Sequence, residues 1–98
     1  MSRSAQKRAL PQSFGEFLRS LRAASDLSQA KVGRALGYET PQFISNWERD
    51  VSLPPVGTLS ALAGIYNVSF KELTELYIHF RKQELEGEIR EKLSLLDM

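Results

Sequence analysis

Gln42 and Asn46 stand four residues apart in the stretch GYETPQFISNWERD, residues 37–50. That spacing puts both side chains on one face of a helix. A carboxamide offers a hydrogen-bond donor and an acceptor together, which suits the N6/N7 edge of adenine in the major groove of duplex DNA. Such groups gain little from facing plain water, so an outward amide face points to base recognition. The plainer reading is an ordinary polar helix surface. Phe43 lies between the two amides, and the sequence leaves open whether it edges the core or touches a thymine methyl. Trp47, at helical spacing beside Ile44 and Phe43, reads as core rather than as a base-stacking platform.

Other chemistry finds little support. His79 is the only histidine and there is no cysteine, so neither a multi-imidazole metal site nor a Cys/His nucleophile pair is expected. The carboxylates of residues 84–91 read as a solvated helical face, not a paired acid and base. There is no phosphate-binding glycine loop and no dinucleotide fingerprint. The sequence therefore reads as a non-enzyme with no cofactor and no metal. Absence of cysteine fits a reducing compartment. No apolar run reaches the ~18 residues of a membrane span, and the start MSRSAQKRALPQS lacks the apolar stretch of a secretory signal. A cytoplasmic protein is expected.

Charge is unevenly spread. Residues 1–49 hold eight Lys/Arg against four Asp/Glu, and residues 50–98 hold five against eight, so net +4 and −3 sum to the overall +1. A basic front half suits a polyanion. Arg3, Lys7, Arg8, Lys31, Arg34 and Arg49 are candidate phosphate contacts, each steepening the salt dependence of binding by about 0.9 in log–log slope. Residues 1–12 read as a flexible basic arm that adds non-specific attraction, with entry into a minor groove as the alternative.

These side chains need a scaffold, and the pattern supplies one made of helices. Ser13 with Glu16 forms a capping box before a first helix at residues 14–24. Ser28 caps a second at 29–36, followed by Gly37. Thr40 caps a third at 41–48, with Pro41 in its first turn. RDVSLPPVG is a loop, because Pro54 and Pro55 cannot continue a helix. A fourth helix at 57–66 ends at Asn67, and Ser69 with Glu72 opens a fifth. A further amphipathic pattern follows, and Gly87 is the weak point where a kink or break is expected. No run alternates at period two, so the fold class is all-α.

Two short helices joined by a tight glycine turn are a helix-turn-helix arrangement. The chain here resembles the lambda-repressor/Cro-type (Xre-like) helix-turn-helix domains over residues 17–77, through LSQAKVGRALG, ISNWERD and LPPVGTLSALAGIYNVSFKEL. GYETPQFI is about one residue longer than the family's usual turn, and Asp50 stands where the family often has glycine. The resemblance implies a five-helix DNA-binding domain, residues 13–77, followed by a C-terminal helical extension, residues 78–98. It implies that Gln42, Phe43 and Asn46 face base edges, and that Gln29, Thr40 and Arg49 hold the DNA backbone. It also implies an ion pair of Arg22 with Glu48, tying the first helix to the end of the third. The alternative is two solvated charges, worth under about 1 kcal/mol.

In the extension, Leu85, Ile89, Leu93 and Leu96 form an apolar stripe, and Glu88 with Lys92 is an i, i+4 pair. A short amphipathic helix is not stable alone. Self-association through the stripe is the preferred expectation, since one recognition helix reads few bases and dimers read two half-sites. Packing onto its own domain is the alternative. The function expected is that of a sequence-specific, double-stranded-DNA-binding transcriptional regulator, a repressor acting as a homodimer on a palindromic operator. The rival is an antitoxin-type or other protein-interaction module whose last helix binds a partner protein.

Overall fold

The computed structural model describes residues 10–97. Its elements, in order, are α1 (Phe14–Ala24), α2 (Gln29–Ala35), α3 (Gln42–Glu48), a 3-10 turn (Val56–Thr58), α4 (Leu59–Tyr66) and α5 (Phe70–Leu96). Among the described residues there is no strand. The all-α, five-helix expectation is met.

Local signals set most of the boundaries. Ser13 Oγ accepts the Glu16 N–H at 3.0 Å, Ser28 Oγ that of Lys31 at 3.0 Å, and Ser69 Oγ that of Glu72 at 3.1 Å. Each bond satisfies one of the donors that a helix start leaves without an intrahelical partner. Four helix ends share one device. Asp26 (φ 58°), Gly37 (φ 91°), Asp50 (φ 61°) and Asn67 (φ 54°) are left-handed. The next residue donates back to a carbonyl five positions earlier: Leu27 to Arg22, Tyr38 to Gly33, Val51 to Asn46 and Val68 to Ala63. This 6→1 closure stops a helix and turns the chain sharply.

Two expectations need correction. α3 begins at Gln42, not Pro41, and Thr40 does not cap it from the N-cap position. Thr40 Oγ1 accepts the Gln42 N–H at 3.3 Å, a turn bond one residue outside the helix. In the turn Tyr38–Pro41 that leads into α3, half-buried Tyr38 packs edge-on to Trp47, ring centroids 6.0 Å apart. The second correction is Gly87. α5 runs unbroken for 27 residues, roughly 40 Å at 1.5 Å per residue. One exposed glycine costs a helix only about 1 kcal/mol, and the Glu86–Arg90 pair bridges it at 2.8 Å. Glu88 and Lys92 make no ion pair among the described residues.

The core is Phe14 and Leu18 of α1, Val32 of α2, Ile44 and Trp47 of α3, Leu59, Leu62, Ala63 and Tyr66 of α4, and Leu73 and Tyr77 of α5. Burying each large side chain contributes about 1.5–3 kcal/mol. Tyr77 also donates its hydroxyl to Pro54 O at 2.9 Å, clamping the loop after α3 onto α5. Phe80 reaches back to Phe14, centroids 6.5 Å apart. From Arg81 to Asp97 every residue is exposed. The extension therefore does not fold back onto its own domain, which removes that alternative for these residues.

Candidate nucleic-acid interface

α3 is two-faced. Ile44 and Trp47 are 1% and 3% exposed on its inner side, while Gln42 and Phe43 are exposed on the outer side and Asn46 is half-exposed. The inner face is seated by close backbone contacts at two glycines. A Cβ on Gly33 would lie 3.1 Å from Thr40 O, so a bare α carbon lets the turn into α3 sit tight against α2. A Cβ on Gly15 would meet Trp47 O, Glu48 O at 2.8 Å and Asp50 Oδ1 at 2.7 Å. There the start of α1 abuts the end of α3, and the Gly15 N–H donates to Asp50 Oδ1 at 3.0 Å.

A polar knot fixes the same end of α3. Arg22 donates from Nε to Glu48 Oε2 at 2.6 Å and from Nη2 to Oε1 at 3.0 Å, a two-pronged pair. Its third prong, Nη1, donates to Leu27 O at 2.9 Å. The Glu48 side chain is 3% exposed and that of Arg22 19%, so the pair is buried on the acid side, against the solvated alternative. Hydrogen bonding to Glu48 moves the Arg22 pKa further up. Gln29 Nε2 donates to Glu48 Oε1 at 2.9 Å, so this side chain joins α2 to the knot. Beneath it Tyr66 is pushed up to about 12, first by burial and then by the Glu48 charge.

On the outer face the polar side chains are also bonded to one another. Gln42 Nε2 donates to Asn46 Oδ1 at 3.0 Å. Arg49 donates from Nη2 to the same Oδ1 at 3.0 Å and from Nε to Ser45 Oγ at 3.2 Å. Phe43 is 51% exposed and lies against Tyr38, centroids 4.7 Å apart. It is an outward ring on a half-buried one, not part of the core. Lys31 and Arg34 of α2 are exposed, as is Thr40 beside the start of α3. The surface so formed joins an amide pair, an aromatic step and cations from α2 and the end of α3. Arg3, Lys7 and Arg8 lie outside the described residues.

Sequence reasoning missed Gly15, Gly33 and Tyr38, the acceptor role of Asp50, and the internal bonds of Gln29 and Arg49. Gly15 had one visible signal, a glycine in the first turn of an otherwise good helix. Asp50 had another, its place at a position where glycine is common. The rest depends on contacts between helices.

Two short helices crossing through a glycine turn, with the second presenting an exposed polar face, define a helix-turn-helix DNA-binding domain. The helix-turn-helix family model matches residues 18–73, more than half of the chain. The chain belongs to that lambda-repressor/Xre-type family, and it is a DNA-binding transcription regulator. Comparison with the curated proteins and with the solved structures gives no significant match. The family is a regulatory one, not an enzyme family. No helix among the described residues is long and apolar enough to cross a membrane.

Proposed function

We propose that this protein is a cytoplasmic repressor that occupies a palindromic double-stranded operator as a homodimer. One observation carries the reading: α3 buries Ile44 and Trp47 while turning Gln42, Phe43 and Asn46 outward. In the major groove, wide enough for one helix, Gln42 and Asn46 read base edges and Phe43 meets a thymine methyl. Lys31, Arg34 and Thr40 hold phosphates. Gln29 acts on the backbone through the oxygen that its bond to Glu48 leaves free.

The second copy is seated on α5. Leu85, Ile89, Leu93 and Leu96 are 49–82% exposed and form a stripe on a stiff helix. Such a row is covered in a working protein. The DNA-binding unit then runs from residue 13 to about 81, because Phe80 still packs on Phe14.

Selection of bound duplexes from a random pool tests the operator, and light scattering on the chain with and without residues 82–98 tests the dimer. Palindromic duplexes and a dimer lost on truncation are expected. Selected sites without symmetry, or a truncated chain that stays dimeric, defeat the proposal. A full-length monomer that pairs with a different protein through the stripe favours the antitoxin-type reading instead.

A further inference from the structure

We infer that Arg49 is a positioning residue that sets which way the two base-reading amides face, so that it governs specificity through Asn46 instead of acting only as a phosphate contact. The inference rests on the proposed base-reading role of Gln42 and Asn46.

The logic follows from donor and acceptor chemistry. A guanidinium only donates. Arg49 Nη2 lies 3.0 Å from Asn46 Oδ1, so that atom must be the oxygen, because the NH2 group of a flipped amide would offer a donor to a donor. With the oxygen pinned there, Gln42 meets it as a donor, through Nε2 at 3.0 Å. The remaining atoms are thereby assigned. Asn46 Nδ2 is left as a donor and Gln42 Oε1 as an acceptor. Arg49 is itself held, because its Nε donates to Ser45 Oγ at 3.2 Å and its own residue closes α3.

This orders the free surface before any DNA arrives. An unpinned amide presents oxygen or nitrogen with equal ease, and choosing one on binding costs rotamer freedom. The fixed pair, one donor and one acceptor, matches a single base edge. Adenine offers N7 as acceptor beside N6 as donor, whereas guanine shows two acceptors, thymine an acceptor and cytosine a donor. The structure assigns an adenine to the place where Gln42 and Asn46 meet the groove, read by the two residues jointly.

The test uses the full chain and duplexes selected from a random pool by the wild-type protein, with each base pair then replaced in turn. Arg49→Met removes the donors, Lys31→Met serves as a charge-only control, and Gln42→Ala and Asn46→Ala mark the base pair read. The pair so marked is expected to be A·T. Arg49→Met is expected to lower discrimination there by about tenfold, within the range of one good amide–base contact. Lys31→Met should weaken every duplex alike and reduce the salt slope. Adding Arg49→Met to Asn46→Ala should cause no further loss of discrimination, since the effect passes through Asn46. Unchanged unfolding curves with urea show that the variants are folded, and Arg49→Lys, which keeps the charge but not the two-pronged hold, substitutes if Arg49→Met is not. Uniform weakening by Arg49→Met, like that of Lys31→Met, overturns the positioning role while leaving base reading in place. If Gln42→Ala and Asn46→Ala leave discrimination intact, base reading itself falls, and this role with it.

Discussion

Replacing Arg22 with methionine should destabilise the domain far more than replacing Glu48 with glutamine. The two changes break the same pair, yet they leave different groups behind. Arg22→Met leaves the Glu48 carboxylate, 3% exposed, with one donor of its three, Gln29 Nε2. An uncompensated buried charge of that kind costs about 3–5 kcal/mol. Glu48→Gln leaves a guanidinium that is 19% exposed and still donates to Leu27 O at 2.9 Å. Glutamine also keeps an acceptor oxygen for it. That loss should be about 1–3 kcal/mol, the scale of a charged hydrogen bond weakened but not orphaned. The double change Arg22→Met with Glu48→Leu removes both charges and should recover most of the loss, because apolar replacements of buried pairs are often neutral. Urea unfolding followed by Trp47 fluorescence reports all three, since Trp47 is the only tryptophan and is 3% exposed. For a domain of this size 1 kcal/mol moves Tm by roughly 4–8 °C, so Arg22→Met should lower it by at least about 12 °C. The reasoning is refuted if Arg22→Met stays within about 1 kcal/mol of the wild type, or if Glu48→Gln is the more harmful.

Two further outcomes follow from the same contacts. Gly15→Ala should cost about 1–3 kcal/mol in urea unfolding, because the new methyl meets the backbone oxygens of Trp47 and Glu48, which cannot swing aside, and displaces the Asp50 carboxylate that accepts the Gly15 N–H. Tyr66→Phe should change the alkaline limb of stability. The folded-state pKa of about 12 exceeds the usual value near 10. The contribution from keeping the phenol neutral is therefore complete below pH ~10 and is lost as pH rises towards 12. Phenylalanine has no such proton, so the difference between variant and wild type should drift in the variant's favour across that window. A constant difference between pH 9 and 12 would falsify this assignment.

What could be read from the chain were the features whose cause is local. Ser13, Ser28 and Ser69 announce helix starts because the cap bond spans three residues, and α1 falls at residues 14–24 as expected from them. Gly37 announces the turn because few other residues take φ near +91°. Trp47 in the core and the outward Gln42 follow from helical periodicity alone. The resemblance supplied Arg22 with Glu48, a pair separated by 26 positions that no local rule connects. Features set by contact between helices were hidden. The need for a bare α carbon at Gly15 arises only when α3 arrives, and Phe43 is outward because Tyr38, five residues earlier, takes the site beside Trp47. Gly87 misled for the opposite reason: its local penalty is real but small against the continuing hydrogen-bond ladder on either side.

An uninterrupted α5 behaves as a strut, not a string. Each residue added to a helix turns everything beyond it by about 100° and advances it by 1.5 Å. One residue inserted between Phe80 and Leu85 would swing the leucine row to a different compass bearing from α3 while leaving every side chain's chemistry intact. Seven inserted residues would nearly restore the bearing at greater reach. A slack tether would register neither change. For the proposed dimer, the angle between the two DNA-binding units would thus be written as a phase, in whole turns of one rod.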